Sequence, residues 1–442
     1  MNLEKTKSIV LTILVSLSLL LTWGLWTYQP QYDFIQSTNY IKNVSIGERR
    51  EYLDIIKPTQ FIYHENDKHY GITERSLSND LYKAVMELNT SDIEDIHSLS
   101  GDQLYNSLQA EETLEMVFPV ELPIGILNYL LAPVNEELNA RVFDRIMVSF
   151  SEDPVLYFVS PKSNQYVKVE IEDSLVDSIK DKITEGNRQY PAYFSLHAGK
   201  RNIIYLPEEQ MALSQLTYSS QNISTIELKN ALFSDPSKVK QYSTINGEES
   251  YTDGSRALEI SQAQNIMRFI NPTNQEIANM SSAEMIVKSI DFINDHSGWT
   301  DSYSLMGLNK KQQSLNYQLK IEGYPVFDPN QFISIYQSWR GNEVYEYQRT
   351  LTNLRFSIDS EKKQVFIPSG RELLNGLTEN KTDFKLELLE NALIGFEISR
   401  ENLNPSVIKA KPKWFIKYDG NWETVDLPTT IIDQGGNSSG LE

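Results

Sequence analysis

Five histidines, no cysteine and 60 carboxylates are the groups in this chain that could hold a metal or move a proton. His64 and His69 bracket Glu65 and Asp67 in the run His64-Glu65-Asn66-Asp67-Lys68-His69, a spacing a metal could use. Asn66 and Asp67 are turn formers, so the run reads instead as a polar turn between two strands. His97, His197 and His296 make no H-E-x-x-H pair, the pattern that sets two imidazoles on one helix face. Neither G-x-x-x-x-G-K-[ST] nor G-x-G-x-x-G occurs, so no phosphate cradle is signalled, and no G-x-S-x-G elbow presents a serine. S-x-x-K occurs at Ser237–Lys240 and Ser406–Lys409. Its partners S-D-N and K-T-G are missing, which argues against a penicillin-binding site. Asp253-Gly254 lacks the EF-hand spacing. A glycosidase pair would need two carboxylates facing one bond, and these are usually distant in the chain, so the sequence does not locate one.

The bulk properties narrow the classes further. Lys and Arg number 40 against 60 Asp and Glu, a net charge of −20. Such a surface repels phosphate backbones, so nucleic acid is not an expected partner. Without cysteine there are no disulfides, thiolate nucleophiles, iron–sulfur clusters or Cys-type zinc sites. No cofactor is implied. At 442 residues and 40% hydrophobic, the chain can form two or three packed domains.

The residues before the first strand form a distinct segment. Ile9 to Tyr28 carry no charge, and about 20 such residues span a ~30 Å hydrocarbon core. Lys5 and Lys7 precede the run, and the next basic residue is Lys42. The positive-inside rule therefore puts residues 1–8 in the cytoplasm and the rest outside. Trp23, Trp26 and Tyr28 sit where aromatic rings anchor at the headgroup level, and Pro30 ends the helix. A cleaved signal peptide would have a shorter apolar core and small residues at its end, not Trp and Tyr. The expectation is an uncleaved, single-pass anchor over 9–28.

The rest of the chain reads as irregularly alternating strands and helices. A stalk from about Gln31 leads to a strand at Thr59–His64 and a helix carrying Leu77, Leu81, Val85 and Leu88. Val155–Val159 and Tyr166–Ile171 form a hairpin around Ser163 and Asn164. A helix with Leu175, Ile179 and Ile183 follows, N-capped by Asp173 or Ser174, and Gly186-Asn187 breaks the pattern. Strands at Ala192–Leu196 and Asn202–Leu206 turn at Gly199 and Lys200, and Asn246-Gly247 and Asp253-Gly254 are tight-turn dipeptides. Capping boxes at Ser281/Glu284 and Ser369/Glu372 open two more helices. Leu315–Ile321 alternates, Gly323-Tyr324-Pro325 turns the chain, Gly341-Asn342 marks a hairpin, and two last strands flank Asp419-Gly420. The Gly-rich tail, 429–442, is expected to be disordered. Without regular βαβ alternation the fold class is α+β with antiparallel sheets. The expected layout is one transmembrane helix and about three extracytoplasmic domains, at 31–187, 188–305 and 306–428.

These residues resemble the YycH family. The resemblance lies in Leu21-Thr22-Trp23-Gly24-Leu25-Trp26-Thr27-Tyr28-Gln29-Pro30, then Pro58-Thr59-Gln60-Phe61-Ile62-Tyr63-His64 and His69-Tyr70-Gly71. It continues with Leu232-Phe233-Ser234-Asp235-Pro236, Tyr251-Thr252-Asp253-Gly254-Ser255-Arg256, Asn271-Pro272, Gly298-Trp299 and Gly323-Tyr324-Pro325-Val326-Phe327. The resemblance implies a non-enzymatic accessory protein of the WalK/WalR (YycG/YycF) cell-wall two-component system of low-GC Gram-positive bacteria. It implies partnership with the sensor histidine kinase WalK (YycG) and a similarly anchored YycI companion, through membrane helices, and no catalytic residues. Spacing of three or four puts Thr12, Ser16, Leu19 and Trp23 on one helical face, the candidate contact surface. The competing readings are a tethered wall-processing enzyme and a module that binds wall polymer or ligand through Tyr and Trp.

Overall fold

Asn66 and Asp67 adopt left-handed φ values of 51° and 59°, the backbone a two-residue I′ hairpin turn requires. They join strands β1 (Gln60–Glu65) and β2 (Lys68–Gly71), paired antiparallel with His64 opposite His69. The expected polar turn is therefore present. The same local chemistry closes later hairpins, with Asn164 at φ 52° and Asp419-Gly420 at 48° and 82°.

The computed structural model describes residues 2–27, 46–90, 105, 109, 111–139, 141–171, 175–185, 189–199, 201–243, 248–272, 280–328, 333–358, 363–381, 383–401 and 404–433. Residues 31–45 of the expected stalk, the Asp173/Ser174 cap, Gly186-Asn187, Lys200, Asn246-Gly247, Tyr28 and the tail beyond 433 lie outside the described residues, whereas Thr430–Asp433 of the tail expected to be disordered form a strand. Residues 1–43 and 44–442 form two compact units. In the first, α1 runs from Asn2 to Thr27.

In the second unit, β1 and β2 belong to an eight-stranded antiparallel sheet. Its other strands are β3 (Thr113–Pro123), β4 (Val142–Ser149), β5 (Val155–Ser160), β6 (Gln165–Glu170), β7 (Ala192–Ala198) and β8 (Asn202–Pro207). The spatial order is β6-β5-β4-β3-β1-β2-β7-β8. Side chains alternate faces along a strand, and here both faces are covered. Phe61, Tyr63, Leu114, Met116, Ile146 and Val148 share one core with helices α2 (Arg75–Met86) and α3 (Leu175–Thr184), through Leu77, Leu81, Val85, Ile179 and Ile183. The opposite face packs Ile62, Val117, Met147 and Val159 around Tyr105 and Tyr205. The sheet continues past residue 187, because β7 and β8 extend it through β2.

The remaining strands form a second, branched sheet. They are β9 (Met211–Asn222), β10 (Lys240–Ser243), β11 (Glu248–Thr252), β12 (Ala257–Ser261), β13 (Ile266–Ile270), β14 (Tyr303–Asn309), β15 (Ser314–Ile321) and β16 (Tyr324–Phe327). Then come β17 (Ser334–Arg340), β18 (Glu343–Thr350), β19 (Thr352–Ser357), β20 (Lys363–Ile367), β21 (Leu389–Arg400), β22 (Val407–Tyr418), β23 (Asn421–Val425) and β24 (Thr430–Asp433). Its pairings are antiparallel except β16 with β21. Three helices accompany it: α4 (Thr225–Leu232), α5 (Ser282–His296) and α6 (Gly370–Asn380). At α6 the full capping box forms between Ser369 and Glu372. At α5 Ser281 accepts from the Glu284 N–H at 3.2 Å and no return bond is made, so the expected box there is half formed. Leu373 and Leu377 of α6 pack on Ile204 and Leu206 of β8 as well as on Val365, Ile394 and Trp414. Both sheets are thus tied through shared cores, in an α+β fold with several antiparallel β-sheet domains.

Candidate functional site

The second face of the first sheet carries charge where apolar side chains are the rule. Glu115 of β3 and Arg145 of β4 are both directed inward, because odd positions on these two strands share a face. Arg145 ion-pairs with Glu115 through Nη1 and donates from Nη2 to the Ile203 carbonyl at 2.6 Å. The other carboxylate oxygen meets His64 Nε2 and the Tyr205 hydroxyl, each at 2.8 Å, and Tyr105 donates to Oε1 at 2.7 Å. His64 Nδ1 lies 2.8 Å from His69 Nδ1, so with His64 Nε2–H donating to Glu115, His69 donates to His64. Burial alone would raise the Glu115 carboxyl, but Arg145, His64 and Tyr105 together hold it well below the usual carboxylate range.

This constellation has the residue types of an active site and none of the access. His64, Glu115 and Tyr205 are 0% exposed and Arg145 and Tyr105 3%, so no solute reaches them. A metal between the two imidazoles would hold its nitrogens about 3.3 Å apart at ~2.0 Å per bond, whereas these rings are at hydrogen-bond distance. Among the described residues no group of three His, Cys, Asp or Glu could hold a metal ion. The network therefore fixes packing. It pins Tyr105 and Gln109 onto the sheet, Gln109 donating to the Tyr205 hydroxyl at 2.5 Å.

Acid weakens this arrangement in a defined window. Burial, then the neighbouring His64, pushes His69 down from 6.5 to about 4. A base with a depressed folded pKa binds its proton more readily when unfolded, so its contribution is present above pH 6.5 and lost as pH falls toward 4. Burial raises Asp144 and Asp301 to about 6, which acts in the opposite direction over the same range. The comparison is therefore between wild type and His69→Gln. Between pH 7 and pH 5 wild type should lose about 1–2 kcal/mol more unfolding free energy than the variant. Parallel pH profiles would remove His69 from the account.

A second built feature lies where the chain enters the larger unit. Gly47 N–H donates to the Ser297 carbonyl at 2.8 Å, and Glu48 and Trp299 exchange backbone bonds of 3.0 and 2.8 Å. Asn294 of α5 accepts from Arg50 N–H at 2.9 Å and donates back to its carbonyl at 3.0 Å, while Arg49 pairs with Asp295 at 2.6 Å. Gly298 has φ 71°, and a Cβ there would lie 2.6 Å from the Gly47 carbonyl, so the approach demands glycine. Fully buried Arg349 donates to Ser297 Oγ, the Gly298 carbonyl and Thr300 Oγ1 at 2.9–3.1 Å. It places a cation at the C-terminal end of α5, where the helix dipole favours one. Residues 46–50 are thereby clamped to α5.

The residues expected to make contacts lie in the other unit. Thr12, Ser16, Leu19 and Trp23 fall on α1 within a stripe of about 60° at 100° per residue. Leu19 and Trp23 are each 67% exposed, and every large apolar side chain from Leu11 to Trp23 is at least 51% exposed. The Thr12 hydroxyl bonds back to the Ser8 carbonyl at 2.8 Å, the alternative a helix offers such residues. Trp26 lies outside the described side chains. Sequence reasoning found this helix and missed the network. The available signal was a lone Glu in Thr113-Leu-Glu-Met-Val-Phe and a lone Arg in Val142-Phe-Asp-Arg-Ile-Met-Val.

The Glu115–Arg145 network is sealed inside an antiparallel α+β fold, and the apolar side chains of α1 are exposed. The chain belongs to the YycH family: the YycH N-terminal domain matches residues 4–187 and the YycH C-terminal domain residues 201–431. It is 24% identical over 467 residues, covering the whole of both chains, to the Bacillus subtilis (strain 168) protein called "Two-component system WalR/WalK regulatory protein YycH". The crystal structure of YycH from Bacillus subtilis shares the fold with a TM-score of 0.72 at 20% identity, covering 86% of this chain and 99% of that one.

Proposed function

We propose that this protein is a membrane-anchored, non-enzymatic regulator of the WalK (YycG) sensor histidine kinase, acting with a YycI-type companion through contacts of its N-terminal helix. The observation that carries the reading is the end-to-end match to a family whose Bacillus subtilis relative is named for regulation of WalR/WalK. Family membership implies membrane anchoring. Among the described residues no helix is long and apolar enough to cross a membrane. The described side chains of α1 are those of 7–8 and 11–23, and the uncharged run 9–28 extends past them at both ends. Covering the exposed apolar side chains between Leu11 and Trp23 is worth on the order of 10 kcal/mol, which supports lipid or a partner helix as their surroundings. Lys5 and Lys7 orient the N-terminus to the cytoplasm and the bulk of the chain outward.

Helix contacts in lipid are worth about 1 kcal/mol each, enough to bias a kinase poised between two states. Small Thr12 and Ser16 allow close approach on the stripe that Leu19 and Trp23 extend. Replacing both by Phe at unchanged protein level should move transcription of WalR-controlled wall-hydrolase genes toward that of a deletion strain. Parent-like transcription would reject this face.

A further inference from the structure

The larger unit has an open cleft at the junction of the two sheets. Its walls come from the loop before β1, the start of α2, the β15–β16 turn and strands β7, β9, β21 and β22. Three cations converge there: Lys57, Arg75 and Lys320. In a chain of net charge −20, such a grouping opposes the overall field.

The cations repel one another and are poorly matched by carboxylates. Lys320 is half-buried, and its ammonium touches the Pro58 carbonyl at 3.5 Å. Burial first, then the charges of Lys57 and Arg75, pushes it down to about 7. Burial also lowers Lys57, which keeps a 3.7 Å contact with Asp54. Arg75 lies with its stem along Gly323, where a Cβ would come 3.6 Å from the Arg75 Cγ. Glu322 stands at the exposed rim and forms no ion pair with any of the three among the described residues. Tyr193 and Tyr324 line the cleft beside them. Gathering three cations against the single, 3.7 Å carboxylate of Asp54 is unfavourable unless an anion completes the group.

We propose that this cleft binds a compact dianionic oxyanion, of the sulfate or phosphate-ester class, held among Lys57, Arg75 and Lys320. The argument rests on the cleft alone and is independent of the α1 reading. Binding the dianion favours charged Lys320, so it takes up a proton and weakens as pH rises.

Equilibrium dialysis of the full chain in neutral detergent, with inorganic sulfate at ionic strength fixed by chloride, tests this. Sulfate keeps its charge between pH 6 and pH 8, so any pH dependence belongs to the protein. One sulfate per chain is expected, with affinity falling about tenfold from pH 6 to pH 8, the change in protonated fraction of a group titrating near 7. Lys320→Gln should weaken binding about tenfold at pH 6 and flatten the pH profile. Arg75→Gln, an exposed position whose replacement leaves the core intact, should weaken binding and keep the pH profile. Lys162→Gln, exposed in the β5–β6 turn, should match wild type. Tighter binding of phenyl phosphate than methyl phosphate would assign an ester lying against Tyr193 and Tyr324, and equal binding the ion alone. Absence of saturable binding at fixed ionic strength, or unchanged pH 6 affinity in both Lys320→Gln and Arg75→Gln, overturns the proposal.

Discussion

Glu115→Ala should destabilise the larger unit by about 3–5 kcal/mol, because it removes the carboxylate bonded to the buried Arg145 guanidinium and leaves only Asp144, at 4.0 Å, as a counter-charge. Domains are stable by only about 5–15 kcal/mol, so the loss is a large fraction of the total. Arg145→Ala should cost a similar amount by stranding the carboxylate. The double variant Glu115→Leu/Arg145→Met should be less damaging than either single alanine, since replacing both members removes the desolvation penalty along with the attraction. Tyr105 and Tyr205 keep their mutual 2.8 Å hydroxyl bond, Gln109 still donates to Tyr205, and His64 keeps His69. Urea unfolding followed by tryptophan fluorescence gives the four free energies and the coupling. If each single falls within about 1 kcal/mol of wild type, or the double equals their sum, the network is not a unit.

Exchanging residues 9–28 for an unrelated apolar helix of equal length should reproduce the deletion phenotype while the protein stays abundant at the membrane. The readout is transcription of wall-hydrolase genes under the response regulator, with parent and deletion strains as references. The expectation follows from the physics of lipid, where apolar side chains gain nothing by leaving one hydrocarbon surface for another. Specific packing and hydrogen bonds then decide which helices associate. An unrelated helix retains the tether and discards that packing. Parent-like transcription would make α1 a tether only, and would move the search to the larger unit. There, the clamp of residues 46–50 ties the start of that unit to α5, and the cationic cleft is an open cavity in the same unit.

The network explains why charge in this protein is a weak guide to chemistry. A Glu, an Arg, two His and two Tyr within hydrogen-bonding distance would suggest general acid–base work if they lined a cleft. With His64, Glu115, Arg145, Tyr105 and Tyr205 at 0–3% exposure and His69 half-buried beside them, they hold Tyr105 and Gln109 on one sheet. The cleft holds the reverse arrangement, cations of like sign lining an open cavity, with Arg75 exposed and Lys57 and Lys320 half-buried.

Hairpins and helix starts were legible in the sequence because each is decided by neighbours a few residues apart. Asn66-Asp67 and Asp419-Gly420 tolerate positive φ, Ser369 and Glu372 satisfy each other's backbone, and Leu77, Leu81 and Val85 recur with the helical period. The uncharged run 9–28 and its flanking lysines are likewise local facts. The antiparallel α+β class followed from the order of such elements. Tertiary structure alone decided the rest. That β7 and β8 join the first sheet through β2, past the boundary expected at residue 187, is set by pairing between residues 124 apart, His69 with Tyr193. That β16 lies parallel to β21 depends on pairing between residues 70 apart, Val326 with Phe396. Glu115 and Arg145 are 30 positions apart, and Lys57 and Lys320 more than 260. Nothing in either local run names its partner, because sheet register and core packing are chosen by the whole chain's buried surface rather than by adjacent residues.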